Sequence, residues 1–130
     1  MERKDYYKYL FLIAAIINCG LGILFLVLTT LFPSDIAALY GVVLPPSLVW
    51  MHFFLVKAIV IGIGYYFLSV DITKNHGIAK MGLFEKFIFF IVSLVYFIGG
   101  AFNILLFILT IVDLVLGFLF IEFLVNYKKI

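Results

Sequence analysis

The sequence predicts an all-α fold, an integral membrane four-helix bundle with both termini on the cytoplasmic side. Three observations carry that prediction. Of the 130 residues, 67% are hydrophobic and only 12% are charged, where a soluble domain has about 45–50% apolar and about 25% charged residues. The apolar residues lie in long runs, and the mean hydropathy is +1.31. Lys and Arg cluster at alternate ends of those runs. A soluble fold of this size has too little interior to hide so much apolar surface, because small domains expose a large share of their area. The net charge of +2 gives no reason to expect nucleic acid as a partner. The chain reads as one transmembrane domain, 1–130, with the lipid bilayer as its solvent.

The first span covers about 9–32, from Tyr9 to Phe32, without a charge. At about 1.5 Å per residue it is roughly 36 Å long, enough to cross a hydrocarbon core of ~30 Å. Pro33-Ser34-Asp35 stops it and opens a short interfacial helix over about 34–41. Ser34 is the expected N-cap and Gly41 the expected C-cap, with Ile36, Leu39 and Tyr40 on one face. The second span, about 47–70, carries one charge, Lys57. Asp71 to Gly77 reads as a polar turn. From Met81 to Leu124 the chain is almost continuously apolar. As a single helix that stretch would measure about 66 Å, twice the bilayer core, so it must fold back. Gly99-Gly100 followed by Asn103 is the turn chemistry in its middle, which divides it into spans 81–98 and 104–124.

Orientation follows from the basic residues. Arg3, Lys4 and Lys8 precede the first span, Lys74, Lys80 and Lys86 lie between the second and third, and Lys128 and Lys129 follow the fourth. The other two connections, 33–46 and 99–103, contain neither Lys nor Arg. The positive-inside rule therefore puts both termini and the middle loop in the cytoplasm. Tyr6, Tyr7, Tyr9, Tyr65, Tyr66 and Tyr127 are expected at the inner interface, and Tyr40 and Trp50 at the outer one. Cys19 is the single cysteine, so no intrachain disulfide forms. Ile16-Ile17-Asn18-Cys19 superficially resembles a lipoprotein cleavage site, but Asn18 stands where a small residue is required. The first span is expected to be retained and Cys19 to carry no lipid.

Charges inside spans mark the candidate sites. Lys57 lies nine residues inward from Leu48 and Asp113 nine residues inward from Ile104. Both spans run in the same direction, so both charges fall near mid-membrane, where each costs roughly 2.5–3.5 kcal/mol. They should face the bundle interior and find partners. The expectation is a direct Lys57–Asp113 pair, with Asn18 on the first span able to join it and Ser93 on the third at similar depth. Such a pair either fixes helix register or forms an ion-coupled or headgroup-binding site. Glu85, Lys86 and Glu122 are expected as a second charged group at the inner surface, with snorkelling side chains. Gly62-Ile63-Gly64 and Gly20-Leu21-Gly22 lie within apolar helices and read as packing glycines, not phosphate loops. His52 and His76 fall on opposite sides of the bilayer, so no shared metal is expected. No catalytic triad or pair of carboxylates at one depth is apparent, and no cofactor is implied.

Gly62-Ile63-Gly64-Tyr65-Tyr66, then Asp71, Asn75, Gly77-Ile78, Gly82 and Lys86, form a pattern that resembles small bacterial four-helix membrane proteins distantly related to the DoxX-like group. Asn18 with Gly22 and Asp113-Leu114 also fit, while Glu85 before Lys86 and the presence of Lys57 depart from it. The resemblance implies a bacterial inner-membrane protein and carries no catalytic residues. Some DoxX-like proteins are associated with quinone-linked oxidation, an analogy of fold only. The leading functional expectation is an accessory or structural subunit that packs with a membrane partner or with itself. The alternative is a lipid-, quinone- or small-solute-binding or transport bundle using Lys57, Asp113 and Asn18. Third is an intramembrane enzyme acting on a lipid or isoprenoid.

Overall fold

The computed structural model describes residues 1–130 and contains helices and turns throughout, with no strand. Its helices are α1 (Arg3–Leu31), α2 (Pro33–Tyr40), α3 (Val49–Val70), α4 (His76–Ile98) and α5 (Ile104–Asn126), ending in a 3-10 turn at Tyr127–Lys129. Four of them, α1, α3, α4 and α5, are long and apolar enough to cross a membrane. These are the four expected spans, and α2 is the expected short helix.

The boundaries differ where polar residues are helical too. Backbone hydrogen bonding extends α1 back through its charged first turns to Arg3. The polar turn is confined to Asp71–Asn75, because α4 already begins at His76, after Asn75 in the left-handed conformation with φ 60°. The Asp71 carboxylate closes that turn by accepting from the Thr73 hydroxyl and from its backbone N–H at 3.0 Å. Those bonds, with the Thr73 hydroxyl foremost, hold Asp71 below the usual carboxylate range. The N-terminus of α2 is a second correction. The chain leaves α1 through Phe32 directly into Pro33 at the first helical turn, so Ser34 makes no cap hydrogen bond. Gly41 does end α2, with φ 66°.

The helices pair antiparallel, α1 with α3 and α4 with α5. Gly62 on α3 lets α1 approach: a Cβ there would lie 2.6 Å from Cys19 Sγ. The Asn18 amide donates to the Ala58 carbonyl at 3.2 Å across the same seam. Small residues beside a polar one are what close packing in lipid uses. Gly20, by contrast, faces open space and packs nothing.

Both pairs meet at the end of the bundle that carries the termini. Tyr7, Phe11, Ala14, Tyr65, Leu68, Ala79, Leu116, Phe120 and Phe123 form the core there. Tyr7 and Tyr65 are therefore core residues, not the interfacial anchors expected of them. Gly82 on α4 makes room for the Tyr65 ring, since a Cβ would come within 2.6 Å of it.

At the far end the pairs part. Here α2 lies across the gap, tied to the α4–α5 turn. The Asn103 backbone N–H donates to Tyr40 O at 2.9 Å, and its side-chain amide donates to Leu39 O at 2.8 Å. The Asn103 side-chain oxygen accepts from Leu105 N at 3.1 Å, capping α5.

Candidate functional site

The space between the parted helix pairs is a cavity of about 360 Å³. Its walls are mostly apolar, aliphatic side chains such as Ile17, Leu21 and Leu109 interspersed with the rings of Phe25, Tyr40, Phe54, Phe89 and Phe102. The size is within the range of small-molecule sites, about 300–1,000 Å³. Pro33, Leu44 and Pro45 line it toward the far end; Asn18, Glu85, Lys86 and Asp113 line it on the side of the core, with Ser93 about two turns outward from Lys86 on α4.

Lys86 is the centre of that polar floor and is only 1% exposed. Its ammonium donates to Asn18 Oδ1 on α1 at 2.7 Å and to Asp113 Oδ1 on α5 at 2.7 Å. Glu85 Oε2 lies 3.4 Å away, and the Tyr65 ring centroid 5.5 Å. The Tyr65 hydroxyl in turn donates to Glu85 Oε2 at 3.3 Å. All four long helices thus converge on one ammonium where the two pairs begin to diverge. Because the Asn18 amide nitrogen is already committed to Ala58, its oxygen is left to face Lys86.

Three acceptors lining the cavity remain open, on Asp113, Ser93 and Glu85, the last at Oε1. No buried polar side-chain atom lacks a hydrogen-bond partner. Asp113 binds Lys86 through Oδ1 and has no bond at Oδ2, so Oδ2 must be accessible, and Asp113 lines the cavity. The same reasoning applies to the Ser93 hydroxyl, which has no partner on a residue that is otherwise buried and lines the same cavity. With all groups ionised the floor holds two carboxylates against one ammonium. In a low-dielectric setting that excess acceptor capacity draws a proton, a cation or a hydrogen-bond donor.

Two expectations about the charges are overturned. Lys57 does not meet Asp113. Its side chain is exposed on the outside of α3 and makes no ion pair, while Asp113 is held by Lys86. The cause is rotational: Lys57 shares a face with exposed Phe53, Val56 and Val60, whereas α3 turns Leu55, Gly62 and Tyr65 inward. Nor do Glu85, Lys86 and Glu122 form one inner-surface group. With α4 beginning at His76, Lys86 lies almost three turns in and faces the bundle. Glu122 stays near the terminal end and accepts from the Tyr6 and Tyr7 hydroxyls at 3.4 and 3.3 Å. Asn18 accepts from Lys86, and Ser93 lines the same cavity about two turns farther along α4.

A sequence signal for Lys86 existed. The buried residues of α4 are Ala79, Gly82, Lys86 and Ser93, a stripe of small or polar side chains at helical spacing. Lys86 sits on that stripe, and Lys57 sits among large apolar side chains. The two histidines are employed separately: His52 Nε2 lies 3.2 Å from the Thr29 hydroxyl, and His76 packs on the Tyr127 ring at 4.0 Å. Comparison of the chain with models of protein families, with curated proteins and with solved structures finds no match.

Proposed function

We propose that this chain is a multi-pass protein of the bacterial plasma membrane, both termini cytoplasmic, that binds a lipid- or quinol-like amphiphile in its outward-facing half. The single observation behind the reading is an apolar cavity that presents an unpartnered carboxylate oxygen, Asp113 Oδ2, on its floor and an unpartnered hydroxyl, Ser93, on its wall. Apolar walls suit a hydrocarbon or isoprenoid body. The floor suits a head that donates, such as an alcohol, a phenol or an amine, because the ammonium of Lys86 is already occupied on its protein partners. A carboxylate head would meet Asp113 and Glu85 and be repelled.

The test compares heads on one apolar body. Protein stripped of lipid in mild detergent is offered dodecanol, dodecylamine or dodecanoate, and bound molecules are read by native mass spectrometry. The alcohol and amine should be retained and the carboxylate should not. Ser93→Leu fills the space above Lys86 and should abolish retention while leaving the helical content intact. Equal retention of dodecanoate, or full retention by Ser93→Leu, would sink the reading.

A further inference from the structure

Exposed apolar side chains on α3 and α4 need no protein partner in lipid. Lys57 does. A lysine this deep in a span is expected to face protein or water and to meet an opposite charge, yet it has neither within its own chain. Its place on α3 is specific. One turn outward Phe54 stacks on Phe89 of α4, with ring centroids 5.6 Å apart. About two turns inward Gly64 abuts Ile78 of α4, 3.4 Å from where a Cβ would stand. Lys57 therefore borders the α3–α4 seam.

Glu85 borders the same seam from the other helix, at the same level. Seven residues outward from the Gly64–Ile78 contact, about two turns on each antiparallel helix, are Lys57 on α3 and Glu85 on α4. Glu85 is 26% exposed. It uses only Oε2 toward Lys86 and Tyr65, so Oε1, without a partner, is accessible. It is also the carboxylate in excess at the cavity floor. Thus one face of the bundle presents an unpaired ammonium beside an underused carboxylate.

We infer that this face binds a second copy of the chain, with Lys57 of each protomer paired to Glu85 of the other across a two-fold axis along the membrane normal. A two-fold contact is self-complementary: if residue i meets j, then j meets i. Lys57 and Glu85 satisfy this, being opposite in charge, level in depth and neighbours on one face. The pairing supplies each Lys57 with an anion and balances each floor cluster, which carries one carboxylate too many. Like charges oppose the other registers, in which Lys57 would face Lys57. The inference rests on the helices lying in a bilayer; it shares Glu85 with the cavity floor but requires no occupant there.

Subunit counting by single-molecule photobleaching in dilute proteoliposomes tests it. Wild type and Lys57→Arg should bleach in two steps, and Lys57→Met in one, its dimerisation weakened by about a hundredfold or more because the Glu85 carboxylates of both protomers lose their partners together. Lys57 is exposed, so Lys57→Met should fold, which an unchanged circular dichroism spectrum would register. Zero-length coupling of wild type with dicyclohexylcarbodiimide should then join Lys57 to Glu85 in the band of dimer mass. A monomeric wild type overturns the inference, as does a dimeric Lys57→Met. The same Lys57–Glu85 link found only at monomer mass would show that the lysine turns to its own chain's carboxylate, and would overturn it equally.

Discussion

At the residue scale, the Lys86 ammonium is the group on which the structure depends most. Removing one member of a buried ion pair costs about 3–5 kcal/mol, because the charge left behind keeps its desolvation penalty. Two carboxylates face this ammonium, so the penalties are unequal. Lys86→Met strands both Asp113 and Glu85 and should lose about 3–5 kcal/mol, or force protons onto them. Asp113→Leu leaves Lys86 with Asn18 at 2.7 Å and Glu85 at 3.4 Å, and should lose only about 1.5–3 kcal/mol, the worth of one charged hydrogen bond. The double variant should be more stable than Lys86→Met alone, since a buried pair is replaced by apolar groups at little net cost. Unfolding in detergent of the three variants measures the order; strictly additive losses would mean that Lys86 and Asp113 do not act as a pair. Lys57 shows why residue-scale reading of the sequence fell short. Depth along a helix is legible from counting, and equal depth with opposite charge made Lys57 the apparent partner of Asp113. Rotation about the helix axis was the deciding variable. It was written in the neighbours of each lysine: Phe53, Phe54, Val60 and Ile61 flank Lys57 one turn either way, whereas Lys86 is in line with Ala79, Gly82 and Ser93.

At the element scale, the four spans, the short helix and the turn at Gly99–Asn103 were legible because length in lipid leaves few choices. A run too long for one crossing must turn, and only one stretch offers turn residues. What the sequence did not disclose is how α2 is used. Its two ties to Asn103 run between residues more than sixty positions apart, and no local pattern encodes them. Asn103 at once caps α5 and anchors α2 over the cavity. Asn103→Ala should therefore speed hydrogen exchange of the amides of 33–41, by roughly tenfold for a loss of about 1.4 kcal/mol locally, within the usual range for a lost cap. Amides around Tyr65, in the core at the other end, should exchange as in wild type. Equal acceleration at both ends would mean that α2 is not a separable cover and that the bundle opens as a unit.

At the scale of the whole molecule, packing is polarised. The aromatic core fills the end with the termini, the cavity occupies the far end, and the polar junction on Lys86 divides them. Charge is polarised in the same sense. Arg3, Lys4, Lys8, Lys74, Lys80, Lys128 and Lys129 all lie toward the packed end, and neither far connection, 33–46 or 99–103, has a basic residue. The two asymmetries together fix which side a ligand would enter from, once one of them is referred to the membrane. Positive charge resists translocation, so the packed end should stay in the cytoplasm and the cavity should open toward the outside. A reporter active only in the cytoplasm should therefore work when fused after Ile130 or inserted at Asn75, and fail when inserted at Asp35. The Asn75 site lies in the exposed turn before α4, and Asp35 in the first turn of α2, so neither insertion breaks a span. A cytoplasmic signal from Asp35 with silence at Ile130 would invert the molecule and turn the cavity inward. Signal at all three sites would mean that the long helices do not cross, and the pairing of Lys57 with Glu85 between copies would lose the bilayer on which it depends.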